Sequence, residues 1–232
     1  MQPPYAALTK FRSTAVFNPW ADVDTLDPRA PRGAPRAAPA ARLARLKAHF
    51  DIEPVLLLVG EAAGYQGCRC SGIPFTHERL LMEQRVPRVV ANGRLSRRAR
   101  PWCEPSATVV WGALHALGLA ERVVLWNAFA WHPYRPGEPH SNRRPTAAEL
   151  DAGRPVLAGV LAAFAGVPVV AVGRVAEAAL ARLGCGPSAV LRHPSMGGAK
   201  LFREGLAAIA AKLSRHAPPR RPAAGLRGRR RR

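Results

Sequence analysis

The sequence predicts an α/β protein in which helices cover both faces of a parallel β-sheet. Four short apolar runs alternate with segments of helical periodicity, and each run ends at a glycine or a polar residue; the runs lie at residues 55–59, 123–126, 167–172 and 189–192. Buried parallel strands are continuously apolar because both of their faces are covered. Ligands of such open sheets bind beyond the carboxyl ends of the strands. We therefore expect the functional site at that edge.

Helical periodicity accounts for most of the remaining chain. The predicted helices are residues 41–50, 76–84, 106–118, 147–164, 174–183 and 199–213. Ser106 is expected to cap the third helix and Gly118 to end it. Residues 128–146 form a long loop with four prolines, and loops of this length in compact domains usually serve a site.

The chain has 232 residues, of which 48% are hydrophobic, enough to bury the core of one domain. We expect residues 1–40 to form an extended arm that packs on the domain through Phe17 and Trp20. Residues 41–215 are predicted to be the domain, and residues 216–232, with seven arginines, a disordered Arg-rich tail. The sequence shows neither an apolar stretch of 18 residues nor a secretory signal, so no membrane association is expected.

The formal net charge is +20 and is carried mostly by arginine, whose planar guanidinium suits phosphate groups. A polyanion such as DNA is the expected partner. A GC-rich genome would explain part of this excess, but not its clustering in residues 85–100, which hold six arginines, and in the tail. The segment 85–100 is either a solvated face or a contributor to non-specific DNA affinity.

Cysteine usage predicts a reduced, cytoplasmic protein. Only four cysteines occur, and they form no Cys-x₂-Cys pair of the zinc or iron–sulfur type: Cys68, Cys70, Cys103 and Cys185. We therefore expect no metal cluster and no cofactor. A nucleoid-associated monomer in the cytoplasm is the corresponding prediction for localisation and assembly.

Polar or aromatic side chains with complementary chemistry lie at or near the predicted strand ends. Phe75 offers a ring on which a flat ligand can stack, and Asn127 offers an acceptor and a donor that match the O4 and N3–H edge of uracil. His193 can donate to an oxygen that gains negative charge as a bond breaks. Together these groups fit recognition of a base flipped out of DNA.

Four motifs carry a family resemblance, in this order along residues 55–205: Val-Gly-Glu-Ala-Ala-Gly (59–64), Ser-Gly-Ile-Pro-Phe-Thr (71–76), Leu-Trp-Asn-Ala-Phe (125–129) and Arg-His-Pro-Ser-Met-Gly-Gly (192–198). They resemble the uracil-DNA glycosylase superfamily. The resemblance implies a three-layer α/β/α sandwich around a four-stranded parallel sheet. It also implies hydrolysis of the N-glycosidic bond of uracil, or of a related deaminated base, in DNA, which initiates base excision repair.

The resemblance also implies roles for individual residues. Phe75 would stack on the base, Asn127 would read its edge, and His193 would donate to uracil O2. Met196 would enter the space that the base vacates in the duplex. The further substrate-binding candidates are Gly60, Ala62, Gly64, Tyr65 and Ser195, and the candidates for DNA contact are Arg143, Arg144 and Lys200.

The sequence departs from the best-known branch of that family at two positions. Ala62 stands where that branch has the Asp that positions the attacking water, so Glu61, which resembles the Glu of the thermostable iron–sulfur branch, is our candidate for orienting it. Gly64 stands where that branch has a Tyr that blocks thymine's methyl group, with Tyr65 one position later. Exclusion of 5-substituted uracils is therefore open.

Structural alternatives exist for each candidate. Phe75 taken alone is a typical core residue, Asn127 a turn former, His193 a structural histidine, and Glu61 a residue that holds a turn. A second set of alternatives concerns the loop 128–146, where either two histidines, His132 and His140, bind a metal or the neighbouring arginines bind phosphate.

Two other functions compete with the glycosylase. The first is a catalytically inactive nucleic-acid-binding protein with the same fold. It is considered because Ala62 replaces the water-positioning Asp. A nucleotide-binding enzyme could use residues 60–67 as a phosphate loop, but the Gly-Lys-Ser/Thr ending of such loops is missing.

Overall fold

A computed structural model describes residues 2–24, 38–89, 94–96 and 99–216. Its strands are β1 Val16–Phe17, β2 Leu56–Ala62, β3 Val123–Phe129, β4 His132–Pro133, β5 Val169–Val172 and β6 Ala189–Leu191. Its helices are α1 Tyr5–Lys10, α2 Ala38–Phe50, α3 Cys68–Ser71, α4 Glu78–Met82, α5 Pro105–Ala116, α6 Ala147–Ala163, α7 Arg174–Ala181 and α8 Ala199–His216. The predicted Arg-rich tail, apart from His216, lies outside the described residues.

The predicted parallel sheet is confirmed, with strand order β3-β2-β5-β6. Alternate residues of β2 point to opposite faces. Leu58 packs with Trp111 of α5 and Phe202 of α8 in one cluster, and Leu57 packs with Phe50 of α2 and residues of α6 and α7 in the other. Helices thus cover both faces of the sheet, and the chain has the three-layer α/β/α fold.

Several predicted boundaries are wrong in ways that concern the site. β2 and β3 each continue for three residues beyond the predicted ends, because their ladder runs on to the pair Ala62 and Phe129. Glu61 and Asn127 therefore lie within strands rather than after them. The helix predicted at 76–84 is limited to α4, and the short helix α3 was missed.

The cap predicted for the third helix is also wrong. α5 begins at Pro105, with Glu104 at its N-cap and Ser106 inside the first turn. Proline at the first helical position suits a helix start because its missing N–H would have no partner there.

The N-terminal segment that the sequence led us to expect as extended contains helix α1, and β1 pairs antiparallel with β4 inside the predicted loop 128–146. We call residues 2–24 the strap. Long-range contacts hold it: the Trp131 indole donates to the Leu8 carbonyl (3.0 Å), and the Trp20 indole donates to the Gly72 carbonyl (3.0 Å). These tertiary contacts explain why local periodicity did not reveal the helix.

A group of buried polar side chains fixes the end of the strap; we call Asp24, Arg42, Arg69 and His132 the strap seat. Arg69 is 3% exposed and contacts Asp24 Oδ2 (3.0 Å) and His132 Nδ1 (3.1 Å). Its guanidinium also lies 3.8 Å from the centroid of the Phe17 ring. Arg42 donates to the carbonyl oxygens of Pro19 (2.8 Å) and Asp22 (3.1 Å).

His132 belongs to this seat and not to a metal site. Because Arg69 can only donate, His132 Nδ1 accepts, and the Nε2–H donates to the Ser141 carbonyl (2.8 Å). Burial, together with the charge of Arg69, lowers the pKa of His132 to about 3. Both ring nitrogens are thus engaged in hydrogen bonds within the protein, and His132 is a neutral, structural histidine.

The described part of the chain has further general properties. None of its helices has the length and apolar character required to cross a bilayer. All four cysteines are free thiols. Among the described residues, no three histidine, cysteine or acidic side chains cluster as metal ligands would.

Candidate functional site

A cleft of about 410 Å³ opens at the carboxyl ends of the strands. The end of β2 contributes Glu61 and Ala62, and the loops that follow β5 and β6 contribute Gly173 and His193. The opposite wall comes from the start of α5 and from the segment 142–144. This is the edge at which the sequence predicted the site.

Gly60 lies between two of the predicted site residues, and a third lies beside one of them. It pairs with Asn127 across β2 and β3. A methyl group built on Gly60 would lie 2.6 Å from Phe75 Cε2 and 2.8 Å from the Asn127 amide, so only glycine fits between them. The Phe75 ring in turn lies 6.0 Å from the His193 ring, centroid to centroid. Phe75, Asn127 and His193 thus converge although they are remote in the sequence.

Phe75 and Asn127 lie behind the cleft rather than in its walls, with 7% and 2% of their surfaces exposed. Phe75 also packs in the hydrophobic cluster below the sheet. Its φ of 51° is in the left-handed region, which costs a non-glycine residue free energy and is concentrated at functional sites. The Phe75 ring thus packs in the hydrophobic core and also lies beside Gly60.

Backbone contacts fix the orientation of the Asn127 amide. When the amide is assigned so that both of its ends are satisfied, its nitrogen donates to the Trp126 carbonyl (3.1 Å) and its oxygen accepts from the Ala63 N–H (3.2 Å). An amide has two N–H groups and two oxygen lone pairs. One donor and one acceptor therefore remain, the two kinds of group that a uracil edge requires.

His193 has its hydrogen-bonding roles set by Ser195. The backbone N–H of Ser195 donates to His193 Nδ1 (3.2 Å), and the Ser195 hydroxyl lies 2.7 Å from the same nitrogen. Since Nδ1 accepts, the proton of the neutral ring is on Nε2. Burial, followed by the charge of Arg192, lowers the pKa of His193. The ring is therefore a neutral N–H donor at neutral pH.

Glu61 and Ala62 both line the cleft. Burial raises the pKa of Glu61, and the nearby charge of Arg144 opposes that rise. The methyl side chain of Ala62 has no ionisable group.

Glu104 is a cleft residue that sequence reasoning missed. Its carboxylate lies against the turn at residues 64–67, where a methyl group on Gly64 would come within 2.6 Å of Oε1 and one on Gly67 would overlap Oε2. Burial raises the pKa of Glu104 to about 7. The two glycines are visible in the sequence, but nothing local links them to a glutamate about 40 residues later.

The arginines of the cleft fall into two groups. Arg143 is already engaged, because its guanidinium donates to both carboxylate oxygens of Glu149 (2.6 and 2.7 Å). Arg144, Arg174 and Arg192 line the cleft, and their guanidinium groups make no hydrogen bond or ion pair to any described residue. Arg174 and Arg192 were missed as site residues, although they adjoin the strand-end residues Gly173 and His193. Lys200 lies outside the cleft walls, 85% exposed and 3.9 Å from Glu204.

Tyr65 and Met196 lie outside the cleft walls. The Tyr65 backbone N–H donates to Asn142 Oδ1 (3.0 Å), and its ring packs edge-on against Trp102 at 5.5 Å. Met196 follows Ser195, is 89% exposed and has a φ of 51°. An exposed apolar side chain on a strained turn has the properties of a wedge, which remains a prediction.

Comparisons with known proteins identify a family and a similar fold. The family model described as the uracil DNA glycosylase superfamily matches residues 48–211. No curated protein sequence matches the chain. Among solved structures, the chain is similar to wild-type SMUG2 of Pedobacter heparinus, with a TM-score of 0.59, 15% sequence identity and coverage of 90% of this chain and 96% of that one. At this identity the structural match supports the fold.

Proposed function

The chain belongs to the uracil-DNA glycosylase superfamily, and from this premise we propose that it hydrolyses the N-glycosidic bond of uracil, or of a related deaminated base, in DNA. The observation that carries the proposal is the convergence of Phe75, Asn127 and His193 around Gly60. One group provides a stacking surface, one an edge-reading amide and one a neutral donor. A flipped pyrimidine requires all three.

The chemistry follows from these groups. Asn127 would bind the O4 and N3–H edge of the base with its remaining donor and acceptor. The His193 Nε2–H would donate to O2, which gains negative charge as the electron pair of the C1′–N1 bond moves onto the base. The sugar becomes cationic as in other glycoside cleavages. Glu61 and the DNA phosphates are negative groups that would stabilise this cation.

DNA is the partner that the charge distribution supports. The net charge is +20, and Arg144, Arg174 and Arg192 face the cleft with their guanidinium groups unpaired among the described residues. Exposed arginines near a base pocket suit the phosphates that flank a flipped nucleotide. Met196 would fill the gap in the duplex, and the protein would act as a monomer in the cytoplasm, associated with the nucleoid.

A panel of oligonucleotides tests the proposal. Each carries one lesion, namely uracil, hypoxanthine, xanthine or a 5-modified uracil, and abasic product is detected by strand scission in alkali. We expect cleavage at uracil. His193→Ala should lower the single-turnover rate about 10² to 10³-fold, as loss of one positioned donor does, and Asn127→Ala should also lower it sharply. His115→Ala, on the exposed side of α5, is the matched control. Full activity in both site variants would refute the mechanism.

The second candidate function is a catalytically inactive DNA-binding protein, which Ala62 favours because no carboxylate occupies the position that resembles the water-positioning Asp. This candidate predicts tight binding of uracil-containing DNA with no abasic product for any lesion between pH 5 and pH 9. Product from any member of the panel eliminates it.

A further inference from the structure

The turn at residues 64–67 leaves space beside the cleft, and the side chain of Glu104, at the start of α5, fills it. Gly64 and Gly67 have no side chains, and the Glu104 carboxylate lies directly over both. Asn142 Nδ2 would lie 3.8 Å from a methyl group on Gly64, so the amide and the carboxylate border the same space. Glu104 and His193 both line the cleft.

The Glu104 carboxylate has no hydrogen bond or ion pair to any residue that the structure describes. Two other buried glutamates have partners: Glu149 binds Arg143, and Glu78 binds Ser96 and the Trp102 N–H. Glu104 is the N-cap residue of α5, yet its side chain makes no capping bond. Local structure thus gives no reason for a carboxylate here, and its free lone pairs require a donor that enters the cleft.

We propose that Glu104 is the general base that accepts a proton from the water attacking the sugar. This inference rests on the proposed glycosylase function. The C1′–N1 bond breaks and its electron pair leaves on the base. The water oxygen forms a bond to C1′, and the water's proton moves to a Glu104 oxygen and from there to solvent. The departing base anion takes up a proton from solvent. The products are an abasic sugar and the free base, with no other reactant needed.

The two carboxylates of the cleft are suited to different tasks. Burial raises the pKa of Glu61, but the charge of Arg144 opposes that rise and favours the ionised form, which suits stabilisation of the sugar cation. For Glu104 no neighbouring charge opposes the effect of burial in this way, and burial raises its pKa to about 7. A general base works best when its pKa lies near the operating pH, and paired carboxylates whose environments differ commonly divide acid–base roles.

Several charged or titratable groups line the same cleft as Glu104: Glu61 from β2, Arg143 and Arg144 from the segment after β4, Arg174 from α7, and Arg192 and His193 from the loop after β6. Cys68 of α3 interacts with Glu104 electrostatically. The pKa of Cys68 is raised well above 9 and that of His193 is lowered below 6.5. A rate inflection near pH 7 would therefore report on Glu104 rather than on these two.

The first test is the pH profile of single-turnover base release by the full-length protein. The wild-type rate should rise about tenfold per pH unit below pH 7 and level off above it, because only the carboxylate accepts a proton. Glu104→Gln keeps the shape of the side chain. It should lower the plateau rate at least about 100-fold, as loss of a general base does, and should abolish the inflection while changing the affinity for product DNA less than about threefold.

Control variants separate this role from others. Glu61→Gln should reduce the rate but keep the inflection near pH 7, and Glu53→Gln, at an exposed carboxylate outside the cleft, should change neither. Glu104→Ala should regain activity when formate is added, because a small carboxylate can occupy the vacated space. A merely structural role would not respond to formate. Circular dichroism melting curves establish that each variant is folded.

Two failures can be distinguished. If the wild-type protein releases no base from any lesion, the glycosylase proposal itself fails. If the wild-type protein is active and folded Glu104→Gln keeps its rate and inflection, or folded Glu104→Ala gains nothing from formate, only the assignment of Glu104 is overturned.

Discussion

The strap seat and the cleft both contain several charged side chains. The two regions differ in whether these side chains have partners within the protein. In the seat, Arg69 is buried and contacts Asp24, His132 and the Phe17 ring. In the cleft, the side chains of Arg174 and Glu104 have no hydrogen bond or ion pair among the described residues. Buried charges are tolerated when they are paired, so the seat is structural. Charges without partners at a cleft are available to a ligand.

The comparison also holds between adjacent residues. Arg143 clamps Glu149, whose backbone N–H and carboxylate form the capping box of α6 with Thr146. Arg144, the next residue, faces the cleft beside Glu61. The identity of a side chain therefore does not tell whether it serves the fold or the ligand; the presence or absence of a partner does.

The largest effect is expected in the strap seat. Arg69→Met removes one partner of a buried ion pair and leaves Asp24 and His132 without its donors, which should lower the free energy of unfolding by about 3 to 5 kcal/mol. The measurement is urea denaturation at pH 7.5. Activity per folded molecule should stay within about twofold. An unchanged midpoint would show that the seat does not hold the strap.

A pH-dependent loss of stability should also originate in the seat. The pKa of His132 is about 3 in the folded protein and about 6.5 in an unfolded chain. Between these two pH values the unfolded state binds a proton that the folded state does not bind. The contribution of His132 to the free energy of unfolding is therefore fully present above pH 6.5 and falls as the pH drops from there toward 3. The expected slope is up to about 1.4 kcal/mol per pH unit for this residue.

His132→Gln isolates that contribution, because an amide can still accept from Arg69 and donate to the Ser141 carbonyl. Unfolding free energies measured by urea between pH 4.5 and pH 7.5 should show a slope shallower by about one proton in the variant. His49 and His77, whose pKa values are also lowered, to about 3 and about 4, contribute to the slope that remains. Equal slopes in the two proteins would contradict the assignment.

Alanine substitutions at Arg143 and Arg144 should separate stability from binding. Arg143→Ala should cost about 1.5 to 3 kcal/mol of unfolding free energy, because it removes two charge-assisted hydrogen bonds to Glu149. Arg144→Ala should leave stability nearly unchanged and lower the slope of log affinity for DNA against log salt by about one. Fluorescence anisotropy over a salt series measures the slope. The reverse pattern would remove Arg144 from the proposed DNA surface.

The smallest effect is expected at Met196. Met196→Ala should change the unfolding free energy by less than about 0.5 kcal/mol, since the side chain is exposed. As a wedge it should matter only when a base is extracted from a helix, so release from duplex DNA should slow several-fold and release from single strands should not. Leu201→Ala, at another exposed apolar residue, is the control. Equal effects on both substrates would argue against a wedge.

Much of the fold could be predicted from the sequence because its signals are local. The four apolar runs are the strands of the sheet, and Asn127 follows a run that belongs to β3. The convergence of Asn127 and His193 was predicted because parallel strands bring their carboxyl ends to one edge. Phe75 lies in the loop between α3 and α4, and the family resemblance assigned it to the same site.

The remaining features depend on contacts between distant segments. Helix α1 is held by Trp131, more than 100 residues away, and Glu104 meets Gly64 only in the folded chain. Arg143 and Arg144 have the same side chain and the same neighbourhood in sequence. They differ only in that Glu149 is a partner for Arg143 and not for Arg144. That difference arises in the folded chain, so no local sequence pattern distinguishes them.

The two-stranded ribbon of β1 and β4 has a practical consequence for protein production. It joins the strap to the loop that presents Arg144: the Tyr134 N–H donates to the Ala15 carbonyl (3.0 Å), and Arg143 reaches the same oxygen (3.3 Å). The family match begins only at residue 48, so a fragment trimmed to that boundary would lack half of the ribbon. Such a fragment would keep every predicted catalytic side chain and still lose the anchor of its arginine loop.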